Sequence, residues 1–205
     1  MSGNPPDKRR RILDAAVTVF AQHGFYTAKV SQIAKEAGVA DGTIYLYFKN
    51  KEDILIQVFI DAMDEILKRQ EAALAQQTDP VQRLRTFITT HFAAVAESRA
   101  MAEVITVELR QSSKFMRDTD MKPFGQYLGM IARIVDDGVK AGLFADAVDS
   151  RLIARAIFGA VDELALEWAM SDRIASLVEA GNHVADLFLQ GLARRAPPAD
   201  PTQVG

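Results

Sequence analysis

The chain contains no cysteine, which excludes disulfides, thiolate nucleophiles and cysteine-ligated zinc. Histidine is scarce as well, and His23, His91 and His183 are far apart in the sequence. No Ser-His-Asp order, phosphate-binding glycine loop or zinc-ligand spacing accompanies them. We therefore expect that the protein is not an enzyme and that it holds no metal and no cofactor.

Long hydrophobic runs are also missing, since none approaches the roughly 18 residues that a membrane-spanning helix needs. The first six residues are polar and proline-bearing, unlike a signal peptide. Together these absences predict a cytoplasmic protein. A helical protein of the membrane surface is the weaker alternative, because anionic lipids would repel the acidic part of the chain.

The charged residues are unevenly distributed along the chain. Residues 1–51 contain eight Lys or Arg and four Asp or Glu, a net charge of +4, whereas the overall charge of −3 leaves −7 for the remainder. A basic N-terminal part on an acidic body indicates that only the N-terminal part meets a polyanion. Charge alone does not separate this interpretation from an uneven solvated surface.

Strand patterns are weak, and apolar residues recur at helical spacing between Gly and Pro breaks. The sequence predicts an all-α protein of nine helices, at about residues 7–23, 30–37, 41–47, 50–76, 80–95, 100–109, 124–142, 149–168 and 173–195. We expect a DNA-binding domain over residues 1–50, an effector-binding and dimerisation domain over 51–195, and a disordered, proline-bearing tail over 196–205.

Residues 30–47 have the pattern of a helix-turn-helix unit, in which a glycine-containing turn joins two helices. Gly38 permits the turn, and Ile44 and Phe48, four residues apart, anchor the short second helix from beneath. Its outward positions carry small or hydroxyl-bearing residues that can approach bases and phosphates: Gly42, Thr43, Tyr45 and Tyr47. Lys49 and Lys51 follow at the next helix start, where positive charge and free N–H groups favour phosphate.

Residues 38–51 read Gly-Val-Ala-Asp-Gly-Thr-Ile-Tyr-Leu-Tyr-Phe-Lys-Asn-Lys. This stretch resembles the DNA-binding signature of the TetR family of repressors. The resemblance implies that the short helix enters the major groove of double-stranded, palindromic operator DNA. It assigns DNA contacts to matching positions and to the start of the supporting helix: Thr43, Tyr45, Tyr47, Lys51, Ser31 and Gln32. The family often has Ser or Thr at the position of Ala40, so we expect Asp41 to cap the short helix instead.

Two segments of the body, residues 108–112 and 157–172, look like the FadR-type branch of that family. Its members control fatty-acid degradation genes and release DNA on binding long-chain acyl-CoA. A dry acyl tunnel would gain roughly 0.8 kcal/mol per buried methylene. The residues that we assign to the effector are Phe92, Leu109, Arg110, Phe124, Tyr127, Ile131, Phe158, Asp162 and Trp168. Candidate cations for the coenzyme phosphates are Arg85, Arg110, Lys114, Arg117 and Arg133.

The eighth and ninth helices are the expected homodimer interface. Gly159 and Ala160 allow close helix approach, and a second apolar stripe contains Leu177, Val184, Leu187 and Phe188. The family resemblance implies a four-helix bundle formed with the second subunit. The alternative function is a TetR-type repressor of drug efflux or of another catabolic pathway, with a different small hydrophobic effector.

Overall fold

The computed structural model describes residues 5–109, 122–146 and 149–194. Within those ranges the chain forms nine α-helices, and a π-helical turn, Val104–Glu108, directly continues the sixth. The helices are α1 (Pro5–His23), α2 (Val30–Ala37), α3 (Asp41–Tyr47), α4 (Lys51–Leu74), α5 (Pro80–Val95), α6 (Arg99–Glu103), α7 (Lys122–Lys140), α8 (Ser150–Met170) and α9 (Leu177–Leu192).

The predicted all-α class is confirmed, and the described ranges contain a single isolated bridge, between Phe144 and Ala193, in place of any strand. Local caps account for most of the helix starts. The Asn50, Asp79 and Asp149 side chains accept hydrogen bonds from backbone N–H groups of the first turn, as capping residues do. The predicted tail, residues 196–205, lies outside the described residues.

Two expected helix boundaries were wrong. The ninth helix begins at Leu177 instead of near residue 173, because the Ser176 hydroxyl accepts from the N–H of Glu179 and fixes the start there. The sixth helix is α-helical only as far as Glu103, and its last turn widens into the π-helical form.

Helices α1, α2 and α3 form the N-terminal head, and completely buried side chains form its core. Ile12, Phe20 and Ile33 have no exposed surface, and Ile44 anchors α3 from beneath as expected. Gly38 turns the chain between α2 and α3 with φ 63°, a left-handed conformation that favours glycine. The head therefore presents the outer face of α3 to solvent on a rigid base.

Helices α4 to α9 form the body, and α4 joins it to the head because its start follows α3 directly. Helix α5 is the central element, with Phe87, Ile88 and Phe92 completely buried. Helix α9 approaches it closely at Gly181, where an added Cβ would lie 2.8 Å from Cδ2 of Phe92. Leu177 and Val184 are buried within the chain by this packing and are not accessible to a second subunit. Our assignment of both to the dimer stripe was therefore wrong.

Candidate DNA-binding surface and internal cavity

Helix α3 exposes the surface on which the head could meet DNA. Tyr45 is 58% exposed and Leu46 is 81% exposed. Gly42 is also exposed, and an added Cβ there would meet no atom within 4 Å. Thr43 and Tyr47 are half-buried, and the Tyr47 ring packs against Phe48 at 6.4 Å between centroids. The outward orientation of α3 thus leaves Tyr45 and Leu46 as its most accessible large side chains.

The flanking polar residues fall into two groups. Ser31 and Lys49 are exposed. Gln32 and Lys51 form hydrogen bonds within the chain. Oε1 of Gln32 accepts from the N–H of Lys29 at 2.8 Å. Nζ of Lys51 donates to the carbonyls of Tyr26 and Ala28. Their assignment to DNA stays a prediction.

Lys51 also lies 4.7 Å from the centroid of the Phe25 ring, and burial lowers the pKa of its ammonium group. Its side chain therefore ties the start of α4 to the loop between α1 and α2. Sequence reasoning gave this lysine only a phosphate-binding role, because nothing local to it reveals the loop carbonyls that lie 23 and 25 residues earlier.

The expected cap at Asp41 was wrong. Ala40 occupies the N-cap position without a side-chain hydrogen bond, and Asp41 is the first helical residue. An exposed carboxylate in the first turn still interacts favourably with the helix dipole.

The arginines at the start of α1 connect this helix to the body and to the rest of the head. Arg9 forms two hydrogen bonds with the Asp61 carboxylate, at 2.7 and 2.9 Å, and these bonds raise the pKa of its guanidinium. Arg11 donates to the carbonyl of Ala37 at 2.5 Å. These contacts connect α1 to α4 and to the end of α2.

A cavity of about 760 Å³ lies between the head and the body. Its walls come from α1, α4, α5, α6 with its π-helical turn, α7 and α8, and most of the lining is apolar. Leu13 and Val17 of α1 and Phe158 of α8 all line it. Pockets of about 300–1,000 Å³ are typical for small-molecule ligands, so the cavity has the size and chemistry of an effector site.

Charged residues also border the cavity, at the ends of α1, α4 and α8. Arg10 pairs with Asp14, and Arg69 pairs with Glu65 and Glu97. Arg155 of α8 is exposed and also borders it. Sequence reasoning missed Arg10, Arg69 and Arg155, because each is an ordinary surface arginine until the fold brings the helices together.

The cavity brings together four of the nine residues that we assigned to the effector: Leu109, Phe124, Phe158 and Asp162. Phe92, Tyr127 and Ile131 have no exposed surface and belong to the closed core. Trp168 is half-buried, with the Arg99 guanidinium 5.1 Å from its ring centroid. Arg110 lies outside the described residues, as do the phosphate candidates Lys114 and Arg117.

The two other phosphate candidates are described. Arg85 is paired with Asp186 at 2.5 Å, and Arg133 is exposed near Gly129 on α7. Neither borders the cavity.

One wall of the cavity contains a buried polar pair. His91 lines the cavity, and its Nδ1 lies 3.0 Å from the hydroxyl of the completely buried Tyr127. Burial lowers the pKa of His91 to about 4 and raises the pKa of the Tyr127 phenol. At neutral pH, therefore, both groups are uncharged.

A second polar contact joins the body to the head. Glu108, on the π-helical turn, is 7% exposed, and its Oε2 accepts from the N–H of Phe25 at 2.7 Å. The adjacent Leu109 lines the cavity. The turn therefore touches both the cavity and the loop that follows α1.

The described ranges lack the features of two other types of site. No group of three or more His, Cys, Asp or Glu side chains there could hold a metal ion. None of the helices in those ranges is long and apolar enough to cross a membrane.

Known proteins similar to this chain are regulators. The family model for bacterial regulatory proteins of the tetR family matches residues 12–58, and that for the C-terminal region of YsiA-like proteins matches residues 59–191. The fatty acid metabolism regulator protein of Bacillus subtilis (strain 168) is 40% identical over 185 residues, covering 90% of this chain and 95% of that protein.

Two solved structures are similar over nearly the whole chain. FadR from Bacillus subtilis in complex with stearoyl-CoA has a TM-score of 0.83 and 39% identity, covering 89% of this chain and 98% of its own. The fatty acid degradation regulator FadR from Bacillus halodurans has a TM-score of 0.85 and 38% identity, covering 95% of this chain and 100% of its own.

Proposed function

This chain belongs to the tetR family of bacterial regulatory proteins, and we propose that it represses fatty-acid degradation genes as a dimer that long-chain acyl-CoA releases from operator DNA. The observation that carries the proposal is the apolar cavity of about 760 Å³ with α1 of the head in its wall. The similarity to a FadR bound to stearoyl-CoA supports an acyl-CoA as its occupant. Burying a long acyl chain supplies on the order of 10 kcal/mol before ordering costs.

The solvent faces of α8 and α9 support the dimer. Exposed positions recur every three or four residues along α8, at Leu152, Ala156, Gly159 and Glu163. Leu187 of α9 is 68% exposed, and an added Cβ at Gly159 would meet no atom within 4 Å. A two-fold dimer through these faces would present two α3 helices to half-sites about one DNA turn, 34–36 Å, apart.

The cavity wall suggests how an effector would act on the head. Leu13 and Val17 of α1 and five apolar residues of α4 face the cavity, whereas α7 contributes only Phe124 among the described lining residues. The contact between Glu108 and the N–H of Phe25 connects the same wall to the head. An acyl chain that displaces α1, α4 or the π-helical turn would change the spacing of the two heads, since ligand binding favours the conformation with higher affinity.

A DNA-release assay tests the proposal. An operator fragment is selected from random duplex DNA with the dimeric protein, and release is then measured with long-chain and medium-chain acyl-CoA, free CoA and free fatty acid. We expect release by long-chain acyl-CoA alone, with the thioester recovered intact. If no ester releases the DNA, the alternative effector class replaces acyl-CoA; accumulation of free CoA would indicate an enzyme.

Two neighbouring alanines of α5 provide a matched test of the cavity. Ala94 lines it, while Ala93 is exposed on the outside. In the Ala94→Trp variant the indole would fill space that the acyl chain needs, so acyl-CoA should fail to release DNA that the variant still binds. Ala93→Trp should respond like the wild type. Equal release from both variants would place the acyl-CoA elsewhere.

A further inference from the structure

His91 is a polar residue in the middle of an apolar wall. Ala94 and Val95 of α5 line the cavity with it, and so do Phe124 and Phe158. The residue His91 is 8% exposed. A buried imidazole in such a place loses hydration, and that loss is recovered only where its N–H and N atoms find partners.

The orientation of the ring is set by Tyr127. Within the described residues, the Tyr127 hydroxyl has His91 Nδ1 as its hydrogen-bond partner, at 3.0 Å. A buried phenol donates its proton, so Nδ1 is the acceptor, and in the neutral ring the proton must then be on Nε2. The lowered pKa of His91 agrees with a ring that stays neutral.

The Nε2–H group faces the cavity. Among the described residues, the buried side-chain atoms without any partner are Oε1 of Gln70 and Nε of Arg83. Nε2 of His91 has no protein partner there either, yet it is not one of these enclosed atoms, so it retains accessible surface. Because the residue lines the cavity, this surface belongs to the cavity. The α5 wall therefore presents a hydrogen-bond donor to the cavity beside the apolar side chains of Ala94 and Val95.

We infer that His91 is a specificity-determining residue whose Nε2–H donates a hydrogen bond to the thioester carbonyl oxygen of the acyl-CoA. This inference rests on the proposed function. A saturated acyl chain has no polar atom, and the thioester oxygen is the acceptor that adjoins it. A ligand that placed only hydrocarbon against Nε2 would leave a desolvated donor unpaired, which weakens binding. Tyr127 acts indirectly, by holding the tautomer that donates.

A pair of ligands isolates this hydrogen bond: hexadecanoyl-CoA and its thioether analogue S-hexadecyl-CoA, in which CH₂ replaces the carbonyl. Calorimetric titration of the wild-type protein should show the thioester binding about tenfold more tightly, the effect of one hydrogen bond to a buried donor. A ratio near one for the wild type would overturn the inference while leaving the proposed function intact. No binding of either ligand would overturn both.

Three variants test whether His91 is the residue that distinguishes the thioester from the thioether. In His91→Leu the thioester-to-thioether ratio should fall to about one, whereas His91→Gln should retain most of it, because its amide can accept from Tyr127 and donate to the ligand. Thr106→Val is the matched control: Thr106 lines the same cavity, but its hydroxyl already donates to the carbonyl of Ala102 at 2.8 Å. A tenfold ratio that persists in His91→Leu would assign the discrimination to another group.

Nuclear magnetic resonance provides a readout that needs no folded His91→Leu variant. The chain has three histidines, so ¹⁵N-histidine labelling gives few signals, and the His91→Gln spectrum assigns the relevant ones. We expect a neutral ring protonated at Nε2 at pH 7, and an Nε2 resonance that shifts with hexadecanoyl-CoA much more than with S-hexadecyl-CoA. A ring protonated at Nδ1, or equal shifts with both ligands, would contradict the inference.

Discussion

At the scale of single residues, the buried imidazole of His91 makes stability depend on pH. Burial lowers the pKa of His91 to about 4 in the folded chain, whereas an unfolded histidine titrates near 6.5. Between these values the unfolded chain binds the additional proton. The stability is therefore complete above about pH 6.5 and is lost as the pH falls toward 4, by at most about 3 kcal/mol.

Urea unfolding at pH 7.5, 5.5 and 4.5 checks this prediction against His91→Gln, whose amide does not titrate. The free energy of unfolding should fall more steeply with acid in the wild type than in the variant. Parallel pH dependences would show that the ring is protonated without cost in the folded chain.

A second residue-scale prediction concerns Glu108. Its carboxylate accepts the N–H of Phe25 at a buried position, so Glu108→Ala leaves that donor without its partner. We expect a loss of about 1–3 kcal/mol in the free energy of unfolding and faster hydrogen exchange of the Phe25 amide. Glu108→Gln keeps an accepting oxygen and should lose less. An unchanged exchange rate of the Phe25 amide in the alanine variant would show that this contact does not connect the head to the body.

At the scale of elements, the exposed face of α3 is the surface to perturb. Leu46 is 81% exposed, so Leu46→Glu should not destabilise the fold, but it would bring a negative charge toward the phosphates. We expect a loss of operator affinity of more than about tenfold, which is over 1.4 kcal/mol, measured by fluorescence anisotropy. Leu143→Glu, on the surface after α7, is the charge-matched control. Wild-type affinity for Leu46→Glu would exclude α3 from the DNA interface.

Two of the three glycines in helix α7 have opposite requirements. An added Cβ at Gly138 would overlap the ring of Phe144, whereas one at Gly125 would meet no atom within 4 Å. Gly138→Ala should therefore destabilise the chain by about 1–3 kcal/mol through overpacking. Gly125→Ala should stabilise it by up to about 1 kcal/mol, through helix propensity. Thermal unfolding of both variants compares these effects, and a neutral Gly138→Ala would mean that Phe144 repacks freely.

Most of the helices and their starts were predictable from the sequence, because local signals specify them. The apolar spacing of α5 and the caps at Asn50, Asp79 and Asp149 lie within a few residues of the structure that they determine. The starts of α2 and α3 and the turn at Gly38 followed in the same way. The π-helical turn was not predictable, since residues 104–108 read as a continuous helix.

At the scale of the whole molecule, the α8 and α9 faces can be tested apart from the head. Leu187→Glu should place a charge in the proposed dimer interface and yield a monomer in analytical ultracentrifugation, with greatly weakened operator binding. Leu46→Glu should remain dimeric although its operator affinity falls. A dimeric Leu187→Glu protein that still binds the operator would mean that the subunits associate through another surface.

As with the fold, one part of the candidate sites was predictable from local sequence patterns and another part was not. Sequence periodicity identified the outward face of α3, because one turn and one short helix define it. Periodicity could not tell which large apolar residues line a cavity: Phe124 and Phe158 do, while Phe92, Tyr127 and Ile131 are enclosed in the core. All five have helical spacing and similar chemistry. Their separation depends on where neighbouring helices leave a gap.

The amino-acid sequence by itself determined the helical class, the turn at Gly38 and the exposed short helix, since each depends on interactions between residues a few positions apart. Only the tertiary structure decided that α1 lines the cavity, that Glu108 reaches Phe25 and that Tyr127 orients His91. The last two contacts join residues 83 and 36 positions apart. Such pairs arise from the packing of whole helices, which local patterns do not encode.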